Sequence, residues 1–181
     1  MDGPALALLE LSSVARGIVT VDAMVKRASV EVRDARSVSP GRYLVRVAGG
    51  VGEVEEAWRA GLQAADVALL DEVFLPNPHP ALLALLEGRP QAAPIDAVGL
   101  VECYTSASAV RAADATAKAV EIALTRLELG NGLGGKGWFL FTGALHEVEA
   151  GLSAAAEAVR EGMLLTTECI ARPHPDTGPI L

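Results

Sequence analysis

Ala5-Leu6-Ala7-Leu8-Leu9-Glu10 returns, in order and in character, as Ala97-Val98-Gly99-Leu100-Val101-Glu102. The offset is 102 − 10 = 92, and it also carries Asp22 onto Asp114, Ala23 onto Ala115 and Lys26 onto Lys118. Further along, Gly49-Gly50-Val51-Gly52-Glu53-Val54-Glu55 pairs with Gly143-Ala144-Leu145-His146-Glu147-Val148-Glu149 at 143 − 49 = 94. Pro78-His79-Pro80 pairs with Pro173-His174-Pro175 at 173 − 78 = 95. So small a drift needs only short loop insertions, and chance similarity does not keep order and spacing through a whole unit. The chain reads as one unit written twice.

The apolar positions repeat as well. Ile18, Val21, Val25 and Ala28 follow helical spacing and predict the buried stripe of an amphipathic helix. Their partners, Val110, Ala113, Ala117 and Val120, are all apolar. A second stripe, Val51, Val54, Trp58, Leu62 and Ala65, pairs with Leu145, Val148, Leu152, Ala156 and Val159. Each repeat reads strand, helix, strand, loop, strand, helix, strand. Split β-α-β units with both helices on one face of an antiparallel sheet form a ferredoxin-like pattern, so the expected class is α+β with two tandem domains. The domains are expected at residues 1–90, with the linker, and 95–181. In the join, Leu82, Leu83, Leu85 and Leu86 predict a short helix, and Gly88-Arg89-Pro90 and Pro94 end it.

Composition narrows the function. Of 181 residues, 51% are apolar and only 4% aromatic, so the core is built from Ala, Val and Leu. The net charge of -8 disfavours a nucleic-acid partner. Met1-Asp2-Gly3-Pro4 lacks the basic start of a secretory leader, and no apolar run approaches the ~18 residues of a membrane span, so a membrane is not an expected partner. Cys103 and Cys169 stand in apolar, strand-like surroundings and are expected to be buried free thiols.

With these observations in place, the residues resemble a known family. Leu8-Leu9-Glu10, the helix end Asp22-Ala23-Met24-Val25-Lys26-Arg27-Ala28, Gly49-Gly50-Val51-Gly52-Glu53-Val54 and Leu75-Pro76-Asn77-Pro78-His79 are similar to the bacterial microcompartment shell domain. The second repeat answers with Val101-Glu102, Asp114-Ala115-Thr116-Ala117-Lys118 and Ile170-Ala171-Arg172-Pro173-His174. Both copies begin with the Leu-Glu type of strand, so the chain resembles the non-permuted, tandem-domain class. That resemblance implies a non-enzymatic, structural role in the bacterial cytoplasm. The tile would be a homotrimer imitating a hexamer, packed edge to edge with hexameric and pentameric shell proteins around enclosed enzymes.

The loop Gly130-Asn131-Gly132-Leu133-Gly134-Gly135-Lys136-Gly137 contains G-x-G-x-x-G and nearly fits a phosphate-binding loop. Both motifs need a helix directly after the glycines. Trp138-Phe139-Leu140-Phe141 reads as a strand instead, and Gly137 replaces the hydroxyl residue that would reach magnesium. A plain hairpin turn is the simple alternative. The resemblance implies that this loop and Ser37-Val38-Ser39-Pro40-Gly41-Arg42 surround a central pore for small metabolites. Val38, Ser39, Pro40, Gly41, Gly132, Leu133, Gly134 and Gly135 would line it, and Arg42 would add positive charge nearby. Some tandem shell proteins hold an iron–sulfur cluster on pore-loop cysteines. Neither loop here has one, so no cofactor is expected.

Lys26 and Lys118 each follow an Asp by four residues, which by itself reads as a helix-surface ion pair. The resemblance implies that Lys26, Asn77, His79, Lys118, Arg172 and His174 sit at tile edges. Arg172 fits the family's edge arginine and Asn77 departs from it. His79, His146 and His174 are too dispersed to read as a metal site, and no catalytic arrangement has local support. The competing reading is a trimeric ferredoxin-like sensor that binds a small molecule.

Overall fold

The computed structural model describes residues 5–92 and 96–180; Pro94 and Met1-Asp2-Gly3-Pro4 lie outside them. The first repeat folds as β1 (Ala5–Leu11), α1 (Val14–Arg27), β2 (Glu31–Val38), β3 (Arg42–Gly49), α2 (Val51–Ala65) and β4 (Leu69–Leu75). A helix in the join, α3 (Pro80–Leu86), is followed by β5 (Ala97–Cys103), α4 (Ser106–Ala119), β6 (Ala123–Leu129), β7 (Gly137–Gly143), α5 (Leu145–Ala158) and β8 (Leu164–Ala171). Two four-stranded antiparallel sheets result, ordered β2-β3-β1-β4 and β6-β7-β5-β8, so the same topology is built twice.

Local chemistry marks the helix ends. The Ser13 hydroxyl accepts from the Arg16 amide at the start of α1, and the Thr105 hydroxyl accepts from the Ser108 amide at the start of α4. Glu147 of α5 reaches back to the Ala144 amide at 3.2 Å. Lys26 and Arg27 close α1, and Lys118 closes α4, where a helix end favours positive charge.

The chain divides into two units. The first comprises Met1–Pro78 with the loop Gly130–Gly135, and the second comprises His79–Leu129 with Lys136–Leu181. In the first unit, Ala5, Ala7, Leu9 and Leu11 alternate along β1 and meet Met24 of α1, Val45 and Val47 of β3, and Val54, Ala57 and Ala65 of α2. Trp58 and Phe74 stack at this core with ring centroids 5.3 Å apart. In the second unit the aromatic pair is Phe139 and Phe141, both fully buried on β7. There α3, in the segment read as a join, packs on β6 and α4.

Three expectations need correction. The stripe expected to bury α1 is half exposed: Ile18 is 57% exposed and Val25 41%. The buried face is Gly17, Thr20 and Met24, because the helix comes so close to β3 that a Cβ on Gly17 would lie 2.3 Å from the Tyr43 ring. Leu145, expected in the stripe of α5, is 40% exposed at the first residue of that helix. Cys103 is buried as expected, but Cys169 on β8 is exposed.

Candidate functional site

Two hairpin loops are the site candidates. In β2–β3 the register closes at Val38↔Arg42, and in β6–β7 it closes at Leu129↔Gly137. The shared pattern of these ladders equates Arg36 with Glu128 and Ser39 with Asn131 (offset 92), and Arg42 with Lys136 and Gly41 with Gly135 (offset 94). The second loop is therefore the first with two residues inserted. Gly130, Gly132, Gly134 and Gly135 all have positive φ, 74°, 66°, 64° and 84°, which side-chain-bearing residues rarely tolerate. The first loop has one such residue, Gly41, after a cis Ser39–Pro40 bond. A strand, β7, follows the glycines, so neither phosphate-binding motif has the helix it requires.

The loop Gly130–Gly135 is held by residues of the first unit. Gly130 packs on Val38, whose side chain would lie 3.0 Å from an added Cβ. Arg36 donates to the Asn131 side-chain oxygen, while its Nε bonds Asp34 at 2.9 Å. Arg42 lies over Gly135, donates to the Gly135 carbonyl at 3.1 Å and pairs with Glu10 at 2.6 Å. Glu10 is fully buried, so the Arg42 guanidinium meets a desolvated carboxylate. The positive charge expected beside the opening is thus compensated from within. The Glu10–Arg42 pair has a counterpart in Glu102–Lys136, at 2.9 Å and more exposed. The Asp34–Arg36 pair has a counterpart with its signs reversed, Arg126–Glu128, and there Arg126 also stacks over Trp138 at 4.9 Å.

Of the expected pore residues, Val38 and Gly135 are buried and Leu133 is half-buried, while Ser39, Pro40, Gly41, Gly132 and Gly134 are exposed. Of the expected edge residues, the structure joins two. The His79 amide donates to Asp114 Oδ1 at 2.7 Å, and Lys118 pairs with the same carboxylate. The His79 Nδ1 also accepts from the Ala81 amide and so caps α3. Lys26 pairs with Asp22 at 2.6 Å in the open. Asn77, Arg172 and His174 are exposed; Arg172 takes a positive φ of 51°, and His174 Nδ1 accepts from the Asp176 amide.

Sequence reasoning missed Arg36, Asn131 and the Glu10–Arg42 pair. The signal available was the recurrence of Glu10/Glu102 together with Arg42/Lys136. Among the described residues no group of three or more His, Cys, Asp and Glu is arranged to hold a metal, and no helix is long and apolar enough to cross a membrane.

Known proteins share this architecture. A family model described as the BMC domain matches residues 5–78 and again 97–173. The bacterial microcompartment shell protein PduT of Citrobacter freundii is 34% identical over 171 residues, 94% of this chain and 93% of that one. The crystal structure of a microcompartment protein from Desulfitobacterium hafniense is similar at a TM-score of 0.81 and 36% identity, covering 96% of this chain and 97% of that chain. The carboxysome shell protein CcmK1 of Thermosynechococcus vestitus is 35% identical over 89 residues, 47% of this chain and 76% of its own length, which is about one repeat.

Proposed function

This chain belongs to the BMC-domain family of bacterial microcompartment shell proteins and carries the domain twice, and on that premise we propose that three copies close into a ring that serves as a shell tile with a central pore. The domain borders in this reading are 1–90 and 95–181. The tile is structural rather than enzymatic. It joins hexameric and pentameric shell proteins edge to edge through Lys26, Asn77, His79, Lys118, Arg172 and His174, inside the bacterial cytoplasm.

One observation carries the reading. The duplicated helices α1 and α4 are buried very unequally within one copy. Of fourteen residues each, α1 buries three and α4 buries ten. Val14, Ile18, Val19 and Val25 leave an apolar strip open on α1, on the helix whose repeat is covered nearly all round. Another copy covering that strip treats both repeats alike, and a head-to-tail contact of this kind closes into a ring.

The pore would be lined by Val38, Ser39, Pro40, Gly41, Gly132, Leu133, Gly134 and Gly135. Backbone groups and the Ser39 hydroxyl dominate that set, and Arg42 is already paired with Glu10. Selection of small polar metabolites by hydrogen bonding follows, rather than selection by a free charge. Light scattering should give three times the mass of one chain, and electron microscopy after co-expression with a hexameric shell protein should show sheets, tubes or closed shells. A discrete monomer, or a discrete trimer that binds one small molecule and never enters a layer, would replace this reading with the sensor.

A further inference from the structure

The two hairpin loops are unequally served within one copy. The first unit contains both, its own residues 38–41 and the visiting Gly130–Gly135. The second unit contains neither, although it carries counterparts of both arginines that hold the visiting loop. Where the first unit offers Arg36 and Arg42, the second offers Glu128 and Lys136 at equivalent register positions. Lys136 bonds Glu102 as Arg42 bonds Glu10, and an ammonium has three N–H groups, so further donors remain for an incoming acceptor.

The polarity of these positions carries the argument. In the first unit the holder Arg36 is a donor and the loop residue Asn131 presents its side-chain oxygen. At the equivalent holder position the second unit has Glu128, which as a carboxylate only accepts. The equivalent loop residue is Ser39, whose hydroxyl donates. Holder and loop have exchanged roles together, as two halves of one contact must. At the other anchor the roles are unchanged: Arg42 donates to the Gly135 carbonyl, and Lys136 is again a donor with Gly41 as the equivalent loop residue. Ser39 and Gly41 are exposed within one copy, so they are accessible to a neighbour.

We propose that the second unit of each copy receives residues 38–41 of an adjacent copy of this chain, with Glu128 accepting from the Ser39 hydroxyl and Lys136 donating to the Gly41 carbonyl. This rests on the trimeric reading above and names the contact between copies that completes the loop ring. Half of the loop anchors are then made within a chain and half between chains.

Cysteine cross-linking tests it. In a Cys169→Ser background, Ser39→Cys with Glu128→Cys should give covalent dimers and trimers on a denaturing, non-reducing gel after mild oxidation. Arg36→Cys with Asn131→Cys, the equivalent pair within one chain, should link without any increase in mass. Light scattering before oxidation separates the two ideas. A trimeric protein whose Ser39–Glu128 pair fails to link between copies overturns the proposal and leaves the trimer standing. A monomeric protein overturns both. A second pair, Gly41→Cys with Lys136→Cys, reads the other anchor of the same contact if the first variant folds poorly.

Discussion

Gly99 faces Phe141 across the β5–β7 ladder, and a Cβ on Gly99 would sit 2.3 Å from the Phe141 ring. In the first repeat the equivalent pair is Ala7↔Val47. On the helix above, Gly151 also lies under the Phe141 ring, where the first repeat has Ala57. One Val-to-Phe enlargement is thus accommodated by two alanines reduced to glycine. Gly99→Ala should therefore cost about 1–3 kcal/mol through overpacking. Phe141→Val in the same chain should recover most of that loss, because the two residues share one space. Urea unfolding of the single and double variants measures this, and strictly additive costs would refute the compensation.

The contact where helix meets strand has changed differently. Gly17 lies under the Tyr43 ring in the first unit, and in the second Ala109 meets Gly137, with a Cβ on Gly137 2.7 Å from that of Ala109. A tyrosine ring over glycine has become a glycine against an alanine methyl, so this contact holds less side-chain volume. The Gly99, Phe141 and Gly151 group thus keeps its core volume while trading identity, whereas the contact at Tyr43 does not.

Removal of Arg42 should be costly. Arg42→Met takes the guanidinium from the fully buried Glu10, at a cost of about 3–5 kcal/mol by the general behaviour of broken buried pairs. Glu10→Leu combined with Arg42→Met should restore much of the stability, because apolar side chains then replace the whole buried pair. Lys26→Met removes an ion pair of the same type whose side chains are 73% and 56% exposed, so its effect on unfolding should be negligible. Equal losses from Arg42→Met and Lys26→Met would show that burial does not set the strength of these pairs.

The ferredoxin-like order, both sheets and the hairpin positions were legible because the repeat let each half corroborate the other. The packed face of α1 was not legible. Hydropathy selects Ile18 and Val25, but the sheet needs small residues at close approach, and Gly17 and Thr20 do not read as core. The loop anchors were hidden for a different reason. Arg36 meets Asn131 and Arg42 meets Gly135 across 95 and 93 residues of chain, and no local period encodes such a pairing.

Cys169 offers a pH-dependent readout. Partial desolvation raises its thiol pKa above the ordinary value, and the carboxylate of Glu149 raises it further. The thiolate is the reactive form, so folded Cys169 should react with maleimide more slowly at pH 8 than the same residue in urea. The gap should close as pH rises through the folded pKa. Glu149→Gln should speed the folded reaction, and the acceleration should shrink at high salt. Labelling rates that are the same folded and unfolded would show that neither influence operates.

Ile18 and Val110 occupy equivalent places in α1 and α4, 110 − 18 = 92 residues apart, but one is 57% exposed and the other fully buried. The same substitution should therefore act on different links of the chain from fold to assembly. Val110→Glu places a charge in a dry interior with no partner designed for it, and the chain should fail to fold or lose several kcal/mol, on the order of 3 or more. Ile18→Glu changes a surface residue of the isolated copy and should alter its unfolding by no more than about 0.5 kcal/mol. In the ring, however, Ile18 belongs to the strip that a neighbour covers. Ile18→Glu should then give a folded chain, with unchanged circular dichroism, that stays monomeric by light scattering. A folded Ile18→Glu chain that still forms trimers would show that the α1 strip is not the surface on which copies meet.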